Sequence, residues 1–233
     1  MYNLPLLSRS SGNFLHYKRG IIMKKLITML ALLSFVLFGC SGAPEQPSDV
    51  SAEAPEESEA VKNYAPNPQV PDDRQLKKAG QTHLDEKGEL TLKKVKYVNG
   101  TYSIGPIEMK VTDAKVMHLK PDYSLVDYFH TLTHDEEFDF VKVFVEIKNT
   151  SDQKVNFAPA AILETSKGEQ VTWEKDIYLD GLTEEIGPNE TKDGNVGFII
   201  EKSDLTHFDI TTSDVFSADG NKIEDAEKIQ IEF

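Results

Sequence analysis

The sequence predicts an all-β domain, an antiparallel β-sandwich of about 7–9 strands over residues 90–233, preceded by an export signal and a disordered acidic tether. Three observations carry this. Short runs of alternating apolar and polar residues begin near Leu90 and recur to the C-terminus. Turn residues separate them at short intervals, and no long helical period interrupts them. Upstream the composition changes twice, from an apolar run to a stretch rich in acid and proline.

From Met23 the chain reads MKKLITMLALLSFVLFGC. Lys24 and Lys25 form a positive start, and Leu26 to Phe38 is a thirteen-residue apolar stretch. That is shorter than the roughly 18–20 residues a spanning helix needs, and it has the build of a cleavable signal over residues 23–39. Its end resembles the lipobox of bacterial lipoproteins, with Leu37, Gly39 and Cys40 in place and Phe38 where a smaller residue is commoner. The resemblance implies diacylglycerol on the Cys40 sulfur, cleavage before Cys40 and a lipid anchor at the extracytoplasmic face of the cell membrane. Two or more acyl chains hold a protein stably, where one does not. Residues 1–22 precede this second start and read as an upstream extension, with Met23 the expected initiator.

Cys40 is the only cysteine, so an intramolecular disulfide and cysteine-based zinc or redox motifs are excluded. Five basic residues and no acidic ones precede it, so its cleavage takes the formal charge from −14 to −19. That charge opposes nucleic-acid binding, which needs a basic footprint. From Ser41 to Ala60 there are six acidic residues, three prolines and no basic residue. Such a segment has little to bury and is expected to stay extended. The expected tether spans residues 40–89, through NYAPNPQVPDD, with a short helix considered near Asp73 to Ala79.

Within 90–233 the strands follow in order. TLKKVKYV is one; IEMKV and AKVMHL follow, with Asp113 as a bulge or bend between them. YSLVDYFHTL suits a helical turn or two in a connection. FDFVKVFVEIKN is the strongest strand: Val141, Val143, Val145 and Ile147 share one face, and Phe138, Phe140 and Phe144 share the other with Lys142. Apolar residues on both faces indicate a central strand. AILETSKGEQVTW reads as a hairpin with Lys167-Gly168 at its tip. GNVGFII, HFDIT and KIQIEF complete the set, with a turn at Asp219-Gly220.

Three segments in sequence, FVKVFVEIKNTSDQKVNF, LETSKGEQV and IGPNETKDGNVGFII, resemble the immunoglobulin-like domain of many Gram-positive lipoproteins and secreted antigens, of the DUF4352 and immunoprotective extracellular type. The matching residues are Asn149 and Ser151 at a strand end, Pro188 at a turn, and Gly194, Val196 and Phe198 in the strand after it; Asn189 and Ile200-Glu201 depart from the commoner pattern. The resemblance implies an immunoglobulin-like sandwich and no catalytic residue or cofactor.

Few side chains suggest chemistry. His130, His134, Asp135, Glu136, Glu137 and Asp139 cluster in HTLTHDEEFD, which reads as a solvated connection, with a divalent-metal site as the alternative. His118 and His207 are expected at an edge or the surface, and Trp173 in the core. No GxSxG elbow, phosphate loop or calcium loop is present. The adjacent acids after Thr183 lack any sign of a facing cleft. The expected function is a non-enzymatic binding module with an envelope protein, a wall polymer or a small ligand as partner. A metal- or solute-capturing lipoprotein is the first alternative and a carboxylate hydrolase the second.

Overall fold

The computed structural model describes residues 58–233. After a short helix, α1 (Glu59–Asn63), come β1 (Thr82–Asp85), β2 (Gly88–Ile104) and β3 (Ile107–Pro121). A 3₁₀ turn at Tyr123–Leu125 and α2 (Val126–Phe129) lead to β4 (Phe138–Asn149), β5 (Val155–Asn156), β6 (Ile162–Thr165) and β7 (Gln170–Thr172). A second 3₁₀ turn at Trp173–Lys175 precedes β8 (Thr191–Ile200), β9 (His207–Thr211), β10 (Val215–Ser217), β11 (Lys222–Glu224) and β12 (Lys228–Glu232).

Every strand pairing among the described residues is antiparallel. A five-stranded sheet runs β1-β2-β3-β4-β8, a four-stranded sheet runs β12-β9-β6-β7, and a small sheet runs β11-β10-β5. The sandwich is therefore as expected, with β4 an inner strand between β3 and β8 and the β3 bulge falling between Val111 and Asp113. The β6–β7 hairpin turns at Gly168, whose φ of +82° an L side chain rarely adopts. Some strands exceed the expected set because they are only two to four residues long, such as β5, β1 and β11, too short to carry a period-two signal.

The main core lies on one face of the five-stranded sheet. Val141, Val143, Val145 and Ile147 of β4 pack there with Leu163, Phe208, Ile210, Ile229 and Ile231 of the four-stranded sheet. The opposite face is covered as well. Phe138 and Phe140 join Leu90, Leu92, Met117 and Leu119 in a second core, closed by Phe129 of α2, by Ile177 and Tyr178, and by Val70 and Leu76.

Val70 and Leu76 belong to residues 58–80, expected as part of an extended tether. This stretch is instead a strap laid across the sheet. Ser58 caps α1 through its hydroxyl, which accepts from the Val61 N–H. Asn67 folds the chain by accepting from the Gln69 and Val70 N–H groups and donates to the Tyr178 carbonyl. The Asp73 to Ala79 stretch forms turns and no helix. The expected disorder fails here because four well-placed side chains, Val61, Val70, Asp73 and Leu76, all become buried. A polar, proline-rich segment needs few such anchors once a sheet face is available to receive them.

Candidate functional site

Two sheet edges lie along one side of the sandwich. β8 ends the five-stranded sheet and β7 ends the four-stranded sheet. A cleft of about 460 Å³ opens between them, walled by Leu132, Thr133 and Asp135 from the connection after α2, by Glu169, Gln170 and Val171, by Lys175, and by Ile199, Ile200 and Glu201.

Hydrogen-bond phase decides what these edges offer. In β8 alternate residues turn their backbone groups away from β4. The Asn195 N–H donates to the Asp180 carboxylate at 2.9 Å, and the Gly197 N–H donates to Asp176 at 2.8 Å. The Gly197 carbonyl accepts from the Ile177 N–H at 2.9 Å. Further on, the Glu201 N–H donates to the Glu169 carboxylate at 2.8 Å. Ile199 stands in the same row, and Lys175 to Ile177 run antiparallel beside it, bridging to β8 at Asp176–Phe198. On β7 the phase is set by Thr165 N–H to the Glu169 carbonyl and Trp173 N–H to the Ala161 carbonyl. Gln170 and Thr172 therefore turn their backbone groups outward.

The side chains add an aliphatic floor and charges of both signs. Leu132, Val171 and Ile199 are partly buried. Glu169 is spent, accepting from the N–H groups of Glu201 and Lys202. Lys175 and the carboxylates of Asp135 and Glu201 pair with no other described side chain. The cleft can thus make backbone, ionic and apolar contacts with one ligand.

A shallower groove of about 250 Å³ lies beside Trp173, Phe157 and Phe216. Trp173 is 48% exposed, which corrects its expected place in the core. The 3₁₀ turn that follows β7 swings its indole out of the strand's inward row.

Under the strap sits a group of buried charges. Asp73 accepts from Lys115 at 2.5 Å and from Lys142 at 3.0 Å, and Lys142 also donates to Asp113 at 3.1 Å. All four residues are buried. Burial alone would push the Asp73 carboxyl up, but the two ammonium groups outweigh it and hold it well below the usual range. For Lys142, burial is likewise outweighed, by Asp113 and Asp73, and its ammonium is held protonated above the ordinary lysine range. Next to this group, burial and the Asp180 acceptor raise the Tyr64 hydroxyl, which donates to Asp180 at 2.7 Å. Asp176 is raised to about 6, chiefly by burial, despite accepting three backbone N–H groups.

The residues singled out in the sequence fall as follows. Cys40 lies outside the described residues. His130 ends α2, and it and His134, Asp135, Glu136 and Glu137 are exposed. Asp139 turns to His118 at 2.8 Å and Lys93 at 2.6 Å, and Glu137 reaches the other ring nitrogen of the same His118 at 3.8 Å. Among the described residues no three His, Cys, Asp or Glu side chains gather to hold a metal ion. His118 and His207 lie on β3 and β9, inner strands of their sheets and not edges. Their side chains still reach partial exposure at the strand ends. Glu184 and Glu185 are drawn apart by Lys192 and Lys154. Sequence reasoning found neither the cleft nor the buried charges; the signal for the latter was Lys115 and Lys142 within otherwise apolar strands.

Comparison with known proteins places the chain. It is 45% identical over 237 residues to the uncharacterized protein YdhF of Bacillus subtilis strain 168, covering 91% of this chain and all of that one. A functionally unknown protein from Listeria monocytogenes EGD-e is similar in structure over 63% of this chain and 87% of its own, with a TM-score of 0.44 and 13% identity. A conserved hypothetical protein from Bacillus anthracis matches 56% of this chain and 95% of its own, with a TM-score of 0.33 and 16% identity. The model of a domain of unknown function, DUF4352, matches residues 97–223, which span β3 to β10 entire, and the chain belongs to that family.

Proposed function

We propose that this chain is a lipid-anchored protein of the extracytoplasmic membrane face that presents a non-enzymatic binding module. The anchor rests on the sequence from Met23 to Cys40, with its positive start, apolar stretch and terminal cysteine. The observation that carries the binding role is the cleft between the β7 and β8 edges. It offers unpaired backbone groups, an aliphatic floor and unspent charges, with no paired nucleophile and base among its lining residues.

The test has two arms in a Gram-positive host. Cys40→Ala is expected to move the protein out of the membrane fraction and abolish labelling by a fatty-acid analogue. Retention of both would overturn the anchor. A photo-reactive side chain at Gln170, in the cleft, is expected to cross-link one defined envelope component in intact cells. The same group at exposed Lys222, on β11, is expected not to. Equal capture from both positions, or none from Gln170, would overturn the cleft as the binding site.

A further inference from the structure

We infer that the groove beside Trp173 is a second binding site, and that it takes an uncharged sugar ring of a polysaccharide. It stands apart from the cleft between β7 and β8, with which it shares no lining residue.

The groove forms where the small sheet meets the end of the four-stranded one. Asn156 comes from β5, Phe216 from β10, and Trp173 from the 3₁₀ turn after β7. Phe157, almost fully buried, gives an aromatic floor. Backbone contacts hold the walls. The Ser213 hydroxyl accepts from the Ala158 N–H and donates to the Asp214 carbonyl, each at 2.8 Å. The Trp173 N–H donates to the Ala161 carbonyl at 3.0 Å. A site fixed in this way loses little freedom when a ligand arrives.

Trp173 is the chain's only tryptophan, and it stands half-exposed at this groove. An exposed indole offers an apolar body and an N–H tip together. Among the described residues that N–H makes no hydrogen bond, and neither does the Thr183 hydroxyl. The Asn156 amide reaches only the Ser217 carbonyl, at 3.5 Å. The groove thus joins aromatic surface to unspent, neutral hydrogen-bonding groups.

Charge decides the occupant. The chain is formally −14, yet no charged residue lines this groove. The acids that follow Thr183 and Ser213 in sequence are engaged elsewhere, Glu184 with Lys192, Glu185 with Lys154 and Asp214 with Lys222. An ionic ligand finds no counter-charge here to offset its desolvation. A neutral sugar matches on both counts, with apolar C–H faces for the aromatic rings and hydroxyls that donate and accept. The groove holds about 250 Å³, below the roughly 300–1,000 Å³ of a drug-sized pocket, so it takes one ring and leaves the rest of a polymer in solvent. An apolar peptide side chain would use the floor alone and leave the polar rim without a ligand partner.

Trp173 fluorescence reports on the groove directly, since no other tryptophan is present. The probes are chitotriose, cellotriose and maltotriose, titrated into the full chain in phosphocholine micelles, which carry no sugar headgroup. A saturable change in emission is expected with at least one of them, and none with trigalacturonate, which carries a carboxylate on each ring. By calorimetry, Trp173→Ala is expected to weaken the bound sugar roughly tenfold or more. Thr183→Val keeps the shape of an exposed side chain and removes its hydroxyl. It is expected to weaken binding about fivefold without lowering the melting temperature.

No response to any of the three sugars overturns the inference. So does equal affinity for trigalacturonate, or unchanged affinity in a folded Trp173→Ala variant. A response lost in Lys175→Glu and kept in Phe216→Ala would put the sugar in the cleft instead. A tighter response to a capped peptide with a central phenylalanine would replace the sugar with a peptide side chain. Emission that changes with protein concentration alone would put a second copy of the chain in the groove. Lys222 opposes Phe216 across β10 and β11 but turns to Asp214 and Asp225 and does not line the groove, so cross-linking from it remains a control for the cleft.

Discussion

The Lys115 ammonium, on the third strand, donates to the Asp73 carboxylate of the strap at 2.5 Å, across 42 residues of sequence and with both side chains almost fully buried. Lys142 donates to the same carboxylate oxygen at 3.0 Å. One carboxylate thus fastens a polar segment to two adjacent strands, and Asp113 balances the remaining charge.

Removing that carboxylate leaves two buried ammonium groups facing only Asp113. Asp73→Asn is expected to cost about 3–5 kcal/mol in urea unfolding, the usual penalty for an orphaned buried charge. Asp72→Asn, one residue away, breaks a pair with Arg74 that keeps partial contact with solvent and is expected to cost less, about 1 kcal/mol. Equal losses in the two variants would show that the buried group is not what holds the strap.

Acid titration is expected to act in two opposite windows. Asp176 binds its proton more tightly in the folded chain, at about 6, than a free carboxyl does near 3.8. Between those values the folded state holds more protons than the unfolded one, so stability falls as pH rises through the window. The size is on the order of 3 kcal/mol, and Asp176→Asn flattens it. Asp73 is lowered, so its contribution is present above about 3.8 and is lost as pH falls further. The measurement is unfolding free energy from pH 7 to pH 3. A monotonic rise in stability from pH 4 to pH 7 in the parent chain would contradict the Asp176 assignment.

Gly197→Ala is expected to destabilise by about 1–3 kcal/mol through overpacking. An added Cβ would lie 2.7 Å from ring atoms of Tyr178 and 3.0 Å from Ile177 Cγ1. Thermal unfolding measures this. A paired Tyr178→Ala that recovers much of the loss identifies the ring as the obstacle.

Phe140→Ala tests whether the strap side of the sheet is a true core. Phe140 is fully buried there, and its truncation is expected to cost about 3–5 kcal/mol, as in any interior. The same change in a chain lacking residues 58–80 is expected to cost much less, because the face then meets water. Unchanged cost in the shortened chain would mean that the strap does not seal that face.

Much of the sandwich was legible because its strands carry local signals. Val141, Val143, Val145 and Ile147 announce one buried face by alternation, Gly168 announces a tight turn, and Asp113 falls at the bulge. The strap was not legible, since Asn67 and Asp73 among prolines read as loop, and their order comes from partners more than forty residues away. The partner of Lys115 and Lys142 was hidden for the same reason: the carboxylate they serve is 42 and 69 residues distant. The cleft was hidden differently. Its key feature is the outward backbone of Gln170 and Thr172, and every residue has a backbone, so residue type gives no hint of which edge stays open. Trp173 was misplaced because a turn, invisible to periodicity, rotates it outward.

The strap also determines how the domain meets a pull. Ser58 to Gly80 precedes the first strand, so tension entering from the N-terminal side reaches the Asp73 contacts before any ladder of the sheets. The strap is the mechanical fuse of the molecule. It yields first, while the twelve-residue β4, locked between two neighbours, keeps the sandwich whole.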